Sequence, residues 1–188
     1  MVASSQVTVV VLVGGRSTRF GGDKLAAPLR GTTVLDHLLD ALPPTWPVVL
    51  VGASRTTTRT VTWTSEDPPG GGPLAAVVAG LALARTSTTV VLAGDMPHAA
   101  TVAARLADVL HGAGPEVAAA VAVDDEGVPN PLLAAYRTGA VLAGAPDEPR
   151  GVPARRLLDL PHVEVVVAGA ASRDVDTRAD LAAMEDEA

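Results

Sequence analysis

The feature that most constrains the fold is an aliphatic, β-branched run at residues 7–13 that ends directly in a glycine-rich loop. A strand with apolar side chains on both alternating faces must be covered on both sides, as a central strand of a parallel sheet is. Comparable runs recur at residues 47–51, 88–93, 117–123 and 163–168, with shorter strand candidates at 60–64 and 132–136. Between them lie helix-like stretches at 33–42, 73–84, 99–110, 152–158 and 177–185. Pro73 suits the first position of its helix, and Thr177 with Asp180 suits an N-terminal cap. Strands alternating with helices of this length predict a doubly wound, mostly parallel α/β sheet with helices on both faces. The Pro/Gly clusters at 43–44, 68–73 and 146–153 read as loops, so residues 1–188 are expected to form one domain.

Composition narrows the function classes. Aromatic residues make up 2% of the chain, so the core must be built from Ala, Val and Leu, and base-stacking platforms are lacking. A net charge of −7 with no basic stripe argues against a nucleic-acid partner. The chain has no cysteine, which excludes disulfides and thiolate metal sites. His37, His98, His111 and His162 follow no metal-binding spacing and are expected to be structural. The N-terminus lacks a basic signal-like region, and the run at 7–13 is too short to span a bilayer. No membrane association is expected, and a cytoplasmic location is.

In such sheets ligands bind beyond the carboxyl ends of the strands. The first strand runs there into Gly14-Gly15-Arg16-Ser17-Thr18-Arg19-Phe20-Gly21-Gly22-Asp23-Lys24. Glycines let backbone N–H groups approach a phosphate, hydroxyls add donors, and the cations offset triphosphate charge. A flexible surface turn would have no reason to gather cations straight after a buried strand. The loop is not GxGxxG, and Asp23 between Gly22 and Lys24 breaks the GxxxxGK[ST] pattern. Lys24 is also the only lysine among fourteen basic residues. Lysine supplies a compact point charge suited to phosphate, where arginine supplies a planar fork.

The loop, read from Leu12 and Val13 through Lys24, resembles the LAGGxSxRxGxDK pattern of the molybdenum cofactor guanylyltransferases, with Val13 in place of the pattern's Ala. Further along, Gly72-Pro73-Leu74-Ala75-Ala76, Gly94-Asp95-Met96-Pro97, Asn130-Pro131-Leu132, Arg155-Arg156 and Asp174-Val175-Asp176-Thr177 are similar to that family's later elements, in order. The resemblance implies an Mg²⁺-dependent transfer of GMP from GTP to phosphorylated molybdopterin, releasing pyrophosphate. It implies that Lys24, Arg19 and Asp95 are catalytic. Leu12, Val13, Gly14, Gly15, Arg16, Ser17, Asp67, Gly72, Pro73 and Leu74 would then join Lys24 and Asp95 around the nucleotide. Asn130, Arg155 and Arg156 would hold the pterin substrate. Transient contact with cofactor-delivery proteins is a further expectation.

Asp95 stands just past an apolar strand, where an oxygen ligand for Mg²⁺ belongs. Its alternative role is the N-cap of the following helix. Asp176 follows the last strand in the same way and is the second metal candidate, again against a capping role. The resemblance also implies a carboxylate in contact with the nucleotide near the Gly70–Gly72 cluster, and of Glu66 and Asp67 the second is preferred, its alternative being a solvated loop acid. Asp124, Asp125 and Glu126 read as an acidic turn before Gly127. A cytidylyltransferase using CTP is the nearest alternative, and Gly15 favours guanine by resemblance. Sugar-phosphate nucleotidyltransferases carry a different loop, and a catalytically silent nucleotide binder of this fold is the reading from another class.

Overall fold

The computed structural model describes residues 7–15 and 19–186. Arg16, Ser17 and Thr18 of the first loop lie outside the described residues. In chain order the elements are β1 (Val7–Leu12), β2 (Pro28–Leu29), β3 (Thr32–Thr33), α1 (Val34–Ala41), β4 (Val48–Val51), β5 (Thr62–Thr64) and α2 (Pro73–Leu81). They continue with β6 (Thr88–Ala93), α3 (Ala100–Gly112), β7 (Ala119–Val123), β8 (Pro129–Arg137), α4 (Thr138–Gly144), β9 (His162–Val166) and α5 (Arg178–Asp186). Seven strands form one sheet in the order β5-β4-β1-β6-β8-β7-β9, and β2 pairs with β3 as a separate two-stranded ribbon.

β1 lies between β4 and β6, parallel to both. The chain winds outward from β1 through β4 to β5, then returns to β6 on the other side. The carboxyl ends of β1 and β6 therefore flank the point where the winding reverses, which is where open α/β sheets leave a crevice. The alternation of β1 accounts for its composition. Val7, Val9 and Val11 point into a core shared with α1 and α3, while Val10 points into a second core under α2.

β8 departs from the parallel expectation, pairing antiparallel with both β6 and β7. The reason lies in the acidic turn. Asp124 accepts hydrogen bonds from the backbone N–H of Glu126 and Val128, so the chain reverses within a few residues. A parallel return would need a crossover of a dozen residues or more. The expected helix at 152–158 is a 3₁₀ segment, Ala154–Asp159, whose buried residues Ala154 and Leu157 are three apart and match the three-residue turn. The β2/β3 ribbon and α4 were not foreseen. α4 has two glycines in seven residues and buries only Thr138 and Val141, leaving little periodic signal.

Two arginines close helix ends. Arg59 donates to the carbonyl oxygens of Leu39, Leu42, Pro43 and Trp46 after α1, at 2.5–3.2 Å. Arg137 does the same for Leu110, Ala113, Gly114 and Val117 after α3. Each fork satisfies carbonyls that a helix end leaves without partners.

α2 sits close to the sheet because of Gly80. A Cβ there would stand 2.4 Å from Val10 Cγ1 and 2.9 Å from Val51 Cγ2. Gly80→Ala is expected to destabilise the protein by about 1–3 kcal/mol through overpacking, despite the roughly 1 kcal/mol by which alanine is the better helix former. Gly112→Ala, where a Cβ meets nothing within 4 Å, is the control and is expected to be neutral or slightly stabilising. Thermal unfolding of the two variants beside the parent checks both.

Candidate active site

The site is assembled at the carboxyl ends of β1, β4 and β6. β1 ends in Gly14 and Gly15, the latter with a φ of +131° that favours glycine. Val13 between strand and loop is buried, and glycines make room for it on both sides. A Cβ at Gly52, just past β4, would lie 3.1 Å from Val13 Cγ2 and 3.0 Å from the Gly14 nitrogen. A Cβ at Gly94, just past β6, would lie 3.2 Å from Val13 Cγ1 and 3.0 Å from the Leu12 oxygen. The Gly94 N–H also donates to that oxygen at 2.9 Å. Val13 thus fills space between neighbouring strand ends, and Gly94 sets Asp95 beside the loop.

Asp95 does not cap α3, whose first flanking residue is Ala99. Its carboxylate accepts the Lys24 ammonium at 2.6 Å. The segment Asp174-Val175-Asp176 comes in from the far end of the chain and is pinned by a hydrogen bond from the Val175 N–H to the Asp95 carbonyl oxygen at 2.8 Å. Val175 is fully buried, and Asp174 and Asp176 flank it. Asp95, Asp174 and Asp176 each offer an oxygen within 4.8 Å of the others. Asp176 does not cap α5 with its side chain. That role falls to Thr177 and Asp180, which exchange side-chain-to-backbone hydrogen bonds as the sequence suggested.

Lys24 lies at the centre of this charge cluster, bonded to Asp176 at 3.0 Å as well as to Asp95. Asp23 turns the chain into Lys24 by accepting a hydrogen bond from the Leu25 N–H. Burial works against the ammonium, but the hydrogen bonds and charges of Asp95 and Asp176 outweigh it, and the pKa of Lys24 stands above that of a free lysine. The hydrogen bond from Lys24, aided by its charge and that of Arg19, holds Asp176 below the ordinary carboxylate value. Arg19 reaches Asp176 at 3.0 Å from an exposed position. Asp174 is pushed the other way by desolvation and by the negative charges of Asp176 and Asp95.

Two adjoining hollows open beside the cluster, sharing Leu12, Gly14, Gly15 and Asp95. The smaller, of about 120 Å³, is lined also by Val13, Asp23, Lys24, Leu25 and Arg55. The larger, of about 350 Å³, extends over Val51, Glu66, Gly70, Gly72, Pro73, Ala76, Ala93 and Leu132. Its far wall is the start of α2, where Gly72 has a φ of +94° and Pro73 takes the first helical position. Leu74 is buried beneath it in the α2 core.

The expected residues do not all meet there. Leu12, Val13, Gly14, Gly15, Lys24, Gly72, Pro73 and Asp95 line the hollows. At the Gly70–Gly72 cluster the lining carboxylate is Glu66, which also accepts from the Gly70 N–H, whereas Asp67 is exposed beside it. Asn130 stands at the start of β8 in a neighbouring hollow with Asp124 and Ser172, its amide directed at the Met96 sulfur. Arg155 and Arg156 are exposed on the 3₁₀ segment, and Arg156 is ion-paired with Asp159 facing α4 rather than the acidic cluster. Asp174 and Arg55 are additions to the expected set. The spacing of Asp174 from Asp176, around one valine, was the available signal for the first. Arg55 follows β4 as Asp95 follows β6, and its strand-end position was the signal for the second.

Comparison with known proteins agrees with this geometry. Residues 9–172 match the family model described as the MobA-like NTP transferase domain. A molybdenum cofactor guanylyltransferase of Cupriavidus pinatubonensis is 34% identical over 134 residues, covering 68% of this chain and 67% of that protein. Among solved structures, a molybdopterin-guanine dinucleotide biosynthesis protein A from Archaeoglobus fulgidus superposes with a TM-score of 0.73 at 25% identity, covering 95% of this chain and 96% of that one. A Mycobacterium tuberculosis protein solved in complex with manganese superposes at 0.63 with 25% identity, covering 97% and 100%. The family model spans most of the chain, and the chain belongs to the MobA-like NTP transferase family.

Proposed function

We propose that the chain is a nucleotidyltransferase that moves GMP from GTP to a phosphorylated molybdopterin acceptor and releases pyrophosphate. The observation that carries this reading is Lys24, presented by a glycine-rich loop at the reversal point of the sheet and bonded to two carboxylates. The names of the guanylyltransferase relatives support the base and the acceptor. Triphosphate in the cleft would lie along the Gly14–Lys24 loop, with the base extending over Gly15 into the larger hollow towards Gly72 and Pro73.

The three carboxylates are hard oxygen donors close enough to share one ion, which suits Mg²⁺ or Mn²⁺. Asp95 and Asp176, with Asp174, would hold it. When bound, such an ion supplies positive charge to the phosphate oxygens in transfer. The acceptor needs no base, because a phosphate monoester with a second pKa of about 6 is mostly dianionic at neutral pH. The task for the protein is to bring two polyanions together, which calls for positioning and cationic stabilisation. Lys24 and Arg19 are the cations at hand, and drawing the Lys24 ammonium onto phosphate takes it from Asp95 and Asp176. That exchange couples nucleotide binding to the filling of the acidic cluster.

Lys24→Ala is expected to cut kcat/KM by about 10²–10³-fold, the usual scale for losing one charge-stabilising donor. Without the ammonium the carboxylates repel one another, so the same variant is expected to bind Mn²⁺ more tightly than the parent when no nucleotide is present. Pyrophosphate release and titration of Mn²⁺ read the two effects. Unchanged turnover would remove Lys24 from the chemistry.

Gly15→Ala addresses the base. The positive φ strains any alanine there, and this cost is common to all nucleotides. Among the described residues the added methyl meets no atom within 4 Å, and the space it enters is the cleft. The kcat/KM for GTP is expected to fall further than that for CTP. Measuring both substrates with both proteins decides it. A ratio unmoved or shifted towards GTP would remove Gly15 as the ground for guanylyl over cytidylyl transfer, and no pyrophosphate from either nucleotide would favour a silent binder.

A further inference from the structure

Arg55 is the cation of the cleft that the assignments above leave unused. It follows β4 at the third residue after Gly52 and lines the smaller hollow with Gly14, Gly15, Lys24 and Asp95. Its Nη1 donates to both oxygens of Asp23, at 2.9 and 2.7 Å, tying the end of β4 to the residue that precedes Lys24. Its Nε is buried and has no hydrogen-bond partner among the described residues. Buried donors without a partner are uncommon in native structures.

The shape of the guanidinium gives the use. Nη1 is committed to Asp23, while the edge formed by Nε and Nη2 carries two parallel donors and makes no hydrogen bond among the described residues. A fork of that geometry matches two oxygens of one phosphate. Lys24 is bonded to Asp95 and Asp176, and Arg19 to Asp176. Arg55 can meet phosphate with its ion pair to Asp23 intact. The side chain is about a quarter exposed while Nε itself is buried, so the fork meets a phosphate when the side chain turns that edge towards the hollow it lines.

We infer that Arg55 is a binding residue for the phosphates of the nucleotide, contacting them through its Nε–Nη2 edge while Nη1 keeps Asp23 and its loop in place. The inference rests on the nucleotidyltransferase reading above. It adds a charged side chain at the β4 end to the site.

The test separates the phosphate contact from the tie to Asp23. Arg55→Lys keeps a charge that can pair with Asp23 but has no second edge, whereas Arg55→Gln loses both. Affinities for GTP and guanosine are measured by titration with Mg²⁺ present, together with unliganded melting temperatures. Both variants are expected to bind GTP at least about tenfold more weakly than the parent, the scale of a charged hydrogen bond. Guanosine binding is expected to stay within about twofold, and Arg55→Lys to melt close to the parent. If Arg55→Lys binds GTP as the parent does, or if guanosine and GTP weaken together, Arg55 is only a structural tie and the inference is overturned. If the parent itself binds no nucleoside triphosphate, the nucleotidyltransferase reading fails and this inference falls with it. GTP binding by the parent with no loss in either variant overturns the inference alone.

Discussion

The structure depends on one charge arrangement, an ammonium held between two carboxylates that arrive from distant parts of the chain. Lys24 comes from the loop after the first strand, Asp95 from the end of β6 and Asp176 from the segment ahead of the last helix. Lys24 and its two partners are only partly exposed, so the attraction is less screened than on an open surface. With Asp174 and Arg19 included, negative charge still exceeds positive. The cluster is therefore suited to a cation, and a polyphosphate can approach it only as cations are rearranged. A biosynthetic transfer between two anionic substrates requires this kind of control over charge.

Small residues make the arrangement possible. Gly52 and Gly94 admit Val13 between the ends of three neighbouring strands, and Gly80 lets α2 lie on Val10 and Val51. None of these glycines sits in the phosphate loop, yet they set how closely the loop, Asp95 and the wall of the larger hollow approach. Val13, the one departure from the family's loop pattern, is thereby a packing residue whose methyls are received by backbone rather than a side chain crowding the ligand. The two arginine forks at the ends of α1 and α3 do comparable work on the side of the sheet opposite α2, closing helices with side chains in a chain poor in aromatic residues.

Much of this was legible in the sequence because the signals were local. The run at 7–13, the glycines after it and the acid after the strand at 88–93 each state a strand, a loop and a ligand-facing end within a few residues. The direction of β8 was less accessible, although the turn held by Asp124 is too short for a parallel return. The hidden parts of the site share a different cause. Asp174 joins Asp95 only through the backbone hydrogen bond of Val175, and Arg55 meets Asp23 only after β4 has paired with β1. Such contacts depend on long-range register, which residue type alone does not report. The same holds for Arg156, whose motif pointed to the substrate but whose side chain turns to Asp159.

The central claim is that Lys24 serves the carboxylates before nucleotide binds and the phosphates afterwards. A crystal structure of the chain with a slowly hydrolysed GTP analogue and Mn²⁺ measures this directly. The account predicts the Lys24 ammonium within about 3 Å of a phosphate oxygen, with the metal at Asp95 in the space the ammonium has left. Lys24 still bridging Asp95 and Asp176 beneath a bound nucleotide, with the metal elsewhere, would contradict it.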